Sequence, residues 1–151
     1  MREYADPELP TLRLEAESAD VALDASPENR GGKLRPGPID VGRLAEPSGW
    51  FVGWTEPGEA LTFKDLSLPC GTYRLTARVA APGGSGNLHV ELGGQVLSPR
   101  AVEASGANDY RLVHLGEVRL SAQRTEVRVV FDTGGLNLDW VFLKRADTRC
   151  P

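Results

Sequence analysis

The chain has 151 residues, 40% of them hydrophobic, and carries 17 Lys+Arg against 21 Asp+Glu for a net charge of -4. That length suits one domain with a sizeable core. A mildly acidic balance without a long basic run gives no support for nucleic acid or an anionic membrane surface as partner, and no apolar run is long enough for a membrane-spanning helix.

The chain opens on Met1-Arg2-Glu3-Tyr4-Ala5-Asp6-Pro7, too polar to be the apolar region of a signal peptide. Met1 reads as a true start or as the cut edge of a larger chain. Residues 1–10 are expected to be an extension or linker, 11–146 the folded domain and 147–151 a tail. In the run 11–17 the alternation places Leu12, Leu14 and Ala16 inward. Residues 18–48, rich in Pro, Gly, Asp and Arg, read as a long irregular stretch, a length that is usually functional or only partly ordered. Strands are then predicted over 50–55, 60–68, 73–81, 88–92, 110–120, 126–132 and 136–143. Tyr73, Leu75, Ala77 and Val79 form one inward face, as do Val127, Val129 and Phe131, and a bulge is expected at Gly116, where the phase breaks. Gly/Pro turns separate these runs, and none keeps a 3.6-residue period. The predicted fold is all-β: an antiparallel β-sandwich.

Two cysteines, Cys70 and Cys150, fit no zinc spacing, and they either form one disulfide or stay unpaired. His89 and His114 sit inside alternating runs, where a structural histidine is the simpler reading than a catalytic one. No nucleophile elbow, P-loop or dinucleotide fingerprint is present. A glycosidase-like carboxylate pair stays open from residue types alone, but a small sandwich with short loops makes a poor enclosing cleft.

Glu15 and Glu17, two apart on a strand, point to one side with backbones about 6.5–7 Å apart. They read either as an ordinary solvated face or as two ligands of a hard cation, for which Asp139 is the candidate third carboxylate. Trp140 is in phase with Leu136 and Leu138 and reads as core. Trp54 reads as core or as a surface platform for the C–H face of a sugar ring. Asn137 and Asp139 share a parity, so the last strand is expected to begin after Asn137 if the two are to serve different sites.

Four stretches, in order, resemble family-6 carbohydrate-binding modules: Leu14-Glu15-Ala16-Glu17, Gly49-Trp50-Phe51-Val52-Gly53-Trp54-Thr55-Glu56-Pro57-Gly58-Glu59, Pro69-Cys70-Gly71-Thr72-Tyr73, and Gly135-Leu136-Asn137-Leu138-Asp139-Trp140. Family-35 modules share much of this pattern and form the close alternative. The resemblance implies a jelly-roll that binds polysaccharide, performs no chemistry and accompanies a glycoside hydrolase in a longer, secreted chain. It implies a structural calcium ion on Glu15, Glu17 and Asp139. It also implies a loop-end sugar site with Trp54 as stacking platform and Asn137 as hydrogen-bonding residue. The family's second aromatic falls on Asn108, with Tyr110 as a substitute platform, and Glu28 is the nearest early-loop acid. The family's concave-face site has a tryptophan where this chain has Ala60, so that face is not expected to bind. An adhesive jelly-roll that binds protein and a small glycosidase are the readings from other classes.

Overall fold

The computed structural model describes residues 11–23, 41–43, 50–53, 55–121 and 123–151. Twelve β-strands are defined among them: β1 (Thr11–Glu15), β2 (Val21–Leu23), β3 (Val41–Arg43), β4 (Trp50–Val52), β5 (Ala60–Leu68), β6 (Gly71–Ala80), β7 (Gly86–Leu92), β8 (Gln95–Val96), β9 (Arg100–Val102), β10 (Arg111–Leu120), β11 (Gln123–Phe131) and β12 (Asn137–Asp147). The one helical element described is a 3-10 turn, Ala16–Ser18.

The strands form two six-stranded antiparallel sheets, the first ordered β10-β6-β12-β4-β3 with β1 also on β12, the second β2-β5-β11-β7-β8 with β9 also on β7. This is the expected sandwich, with jelly-roll crossovers between the layers. Alternation drives it, because every second residue of a strand faces the opposite sheet. Leu12, Leu14, Tyr73, Leu75, Ala77, Val79, Val127, Val129 and Phe131 lie buried in one core, as their phase predicts. The predicted bulge is also present, as a register shift between His114 and Gly116.

Four details differ from the sequence reading. β1 stops at Glu15, and Glu17 belongs to the 3-10 turn, so the two glutamates do not share a strand. Two short strands, β2 and β3, fall inside the stretch expected to be irregular. β12 begins at Asn137 rather than after it and runs to Asp147. Trp140, finally, is buried but stands outside the core, for a reason that lies in β12.

Leu138 pairs with Val79 and Trp140 with Arg78, so Asp139 is the extra residue of a bulge. One added residue reverses the phase of all that follow. Leu136 and Leu138 point into the core, then Val141 and Leu143 do so, and Trp140 and Phe142 turn to the outer face. There their rings stack at 4.1 Å with an interplanar angle of 20°. The Arg13 guanidinium lies over both, 5.4 Å from one centroid and 5.9 Å from the other.

Cys70 and Cys150 form a disulfide, with their Cα atoms 5.1 Å apart. Arg145 donates from Nε and Nη2 to the Cys70 carbonyl, fastening β12 to the start of β6.

Candidate functional site

One edge of β12 is shared by two partners. β1 pairs with residues from Lys144 down to Trp140, and β4 takes over at Leu138 opposite Val52. The bulge at Asp139 sits at this junction, beside the 3-10 turn that follows β1. Glu15, Glu17 and Asp139 are thereby brought within electrostatic reach of one another. Burial raises the Glu17 carboxyl to about 7, with the charges of Glu15 and Asp139 adding to the shift. Burial also raises Glu15, against the opposing pull of Arg13, which pairs with it at 2.5 Å. Asp139 is 1% exposed and accepts from Arg78 Nη1 at 2.6 Å through Oδ2.

With all three ionised, these carboxylates facing two arginines leave one net negative charge in a partly desolvated place. In donor chemistry and charge that suits a hard divalent cation. As the side chains lie, no three carboxylate, histidine or cysteine groups among the described residues converge closely enough to ligate one ion.

The second cluster lies at Leu136 and Asn137, just before the bulge, where four loops meet. Thr55 Oγ1 donates to the Leu136 carbonyl and accepts from the Leu136 amide, both at 2.9 Å. Gly83 donates its N–H to the Gly135 carbonyl at 3.2 Å, and Ser105 Oγ accepts from the Ala81 amide at 2.9 Å. Glycine is required where these loops touch: a Cβ on Gly83 would lie 2.9 Å from the Gly135 Cα. Gly53 is equally confined, since a Cβ there would come within 2.6 Å of the Phe51 ring and 2.8 Å of Asn137 Oδ1.

Asn137 is 7% exposed at this loop end. Tyr110, in the loop before β10, lies beside it with a buried hydroxyl. Burial lifts the phenol above its ordinary range and the charge of Asp139 adds to this, while Asn137 and Arg78 offset it. The amide acts on the hydroxyl electrostatically, without a hydrogen bond of good geometry between them. The Arg78 guanidinium covers one face of the Tyr110 ring at 4.7 Å, and the Phe51 and Tyr110 rings form a T-shaped pair at 6.3 Å and 61°.

Of the residues singled out in the sequence, the fold thus gathers Glu15, Glu17 and Asp139 around the bulge, and Asn137 with Tyr110 at the loop end. Asn108 is exposed in a turn, in none of the contacts described above. Trp54 and Glu28 lie outside the described residues. Arg78, Arg13 and Phe51 went unrecognised in the sequence. Arg78 alternates with the inward residues of β6, so its outward placement was legible, but its partners were not.

His89 is a structural histidine between two acids: Nδ1 lies 2.9 Å from Asp132, and Nε2 lies 3.4 Å from Glu91. It sits in one row of the second sheet with Val130 and Ala60.

Residues 35–143 match the sequence profile described as carbohydrate binding module (family 35). No curated protein sequence matches the chain. Among solved structures, the chain resembles the family-6 module of Cellvibrio mixtus lichenase 5A in complex with cellotriose, at 23% identity and a TM-score of 0.70 over 89% of this chain and 96% of that one. A family-6 module of Clostridium stercorarium in complex with cellobiose is 27% identical, with a TM-score of 0.63 over 85% and 89% of the two chains. A Podospora anserina GH26-CBM35 β-(1,4)-mannanase aligns over 93% of this chain but only 29% of its own length, at 21% identity and a TM-score of 0.62.

Proposed function

Because the chain belongs to family 35 of the carbohydrate-binding modules, we propose that it holds a polysaccharide or oligosaccharide at the loop end of the sandwich, around Trp54, Asn137 and Tyr110. The observation that carries this reading is the convergence of loops there. Asn137 and Tyr110 stand side by side, and Gly53, the residue before Trp54, closes directly on Asn137. An aromatic platform supplies apolar contact for the C–H face of a sugar, and an amide beside it bonds hydroxyls. With Arg78 over one face, Tyr110 offers a sugar only the other, so binding rests on Trp54 more than on Tyr110.

The module is non-catalytic. We place it in a longer secreted chain, where it would hold a glycoside hydrolase at its substrate by raising the local concentration. The alignment to a segment of a mannanase and the Cys70–Cys150 bridge, which suits an oxidising compartment, support that placement. A calcium ion on Glu15, Glu17 and Asp139 would be structural, clamping β1 to β12 and relieving the crowding of carboxylates.

The test is Trp54→Ala, measured on a glycan array and by affinity electrophoresis in soluble β-glucan, xylan and mannan. Binding is expected to vanish with the melting temperature nearly unchanged. A large drop in melting temperature with binding retained would place Trp54 in the core and overturn the reading.

A further inference from the structure

We infer that Arg78 is a positioning residue of the sugar site, fixing the orientation in which the Tyr110 ring is presented to the ligand. The inference rests on the loop end being the carbohydrate site. Tyr110 precedes β10, which begins at Arg111, and so lies outside the paired register of that strand. Its orientation depends on what its side chain touches. One face meets Arg78, Phe51 packs on the ring in a T-shaped contact, and the buried hydroxyl end meets Asn137.

Of these three neighbours Arg78 is held through both its backbone and its side chain. Its backbone pairs with Trp140 in the middle of the first sheet, and its Nη1 is bonded at 2.6 Å to an Asp139 side chain that is 2% exposed. Asp139 is the residue that the bulge takes out of the regular register, and it is this residue that meets the guanidinium. A planar cation held by a buried carboxylate can lie flat on an aromatic face, whereas an ammonium on a flexible stem can reach the carboxylate but cannot cover the ring. Arginine is therefore required here for its shape as well as its charge.

The experiment is a double-mutant cycle on sugar affinity, with Arg78→Lys and Tyr110→Ala made singly and together. The probe is whichever of cellotriose, xylotriose and mannotriose binds the unmodified protein best by calorimetry, and thermal melts are run in parallel. Arg78→Lys is expected to weaken binding about tenfold, the scale of a desolvated cation–π contact, at a melting temperature close to the parent's. In the Tyr110→Ala background the same change is expected to have no further effect.

Additive losses would show Arg78 acting on the sugar itself and would overturn the inference, as would unaltered affinity in Arg78→Lys. Should the lysine variant fail to fold, Arg78→Gln, planar but neutral, takes its place in the cycle. Coupled losses then support the inference, and additive losses or unaltered affinity overturn it. Loss of binding in Trp54→Ala with full binding in Tyr110→Ala sinks this inference alone. A parent protein that binds none of the sugars sinks the site reading, and this one with it.

Discussion

Glu17 is a carboxylate whose surroundings oppose its ionised form. Its folded pKa of about 7 stands above the 4.5 of an unperturbed glutamate, because it is desolvated and lies near Glu15 and Asp139. Between those two values the folded chain binds more protons than the unfolded chain, so this group loses stability as pH rises through that window, and the loss is complete above it. A bound calcium would remove the penalty by favouring the carboxylate. After exhaustive EDTA treatment the melting temperature is expected to be lower at pH 8 than at pH 5. Glu17→Gln should flatten that slope, and added calcium should raise the pH 8 value. Melts at the two pH values that do not respond to calcium would remove the cation from the proposed function.

At the scale of the element, β12 carries both clusters and the core. Its bulge separates Asn137, which serves the loop end, from Asp139, which serves the carboxylate cluster and holds Arg78. An ion pair this buried contributes little over a pair of apolar residues, but breaking it by removing one partner is expensive. Asp139→Ala, which strands the Arg78 guanidinium, is expected to cost about 3–5 kcal/mol, and Asp139→Asn clearly less because the acceptor oxygen stays. Urea midpoints of the two variants check this. Equal and small losses would mean that Arg78 is satisfied elsewhere.

For the whole molecule, the disulfide closes a sequence separation of 80 residues and binds the end of the chain to the start of β6. Chain-entropy arguments assign a loop of that length about 4 kcal/mol. Cys70 precedes the first residue of the ten-residue strand β6, whereas the loop-end cluster lies beyond its last residue. Replacing both cysteines by serine should therefore lower the melting temperature substantially while leaving sugar affinity unaltered below it. Affinity that falls with the bridge at a temperature where the variant is fully folded would show the two ends to be coupled.

The period-2 alternation of Leu12, Leu14, Tyr73 to Val79 and Val127 to Phe131 by itself determined the class of fold, because a buried face imposes its pattern residue by residue. The motifs around Glu15, Trp54 and Asn137 pointed to the family by their resemblance to its known members. The faces taken by Trp140 and Phe142 were decided only in three dimensions. A single bulged residue leaves no signal in composition, yet it reverses the phase of everything after it. The pairings of Arg78 with Asp139 and Tyr110, and of Cys70 with Cys150, were likewise decided there. Arg78 and Asp139 are 61 residues apart along the chain and the two cysteines 80, and only the packing of β6 beside β12 and β10 sets which side chains meet.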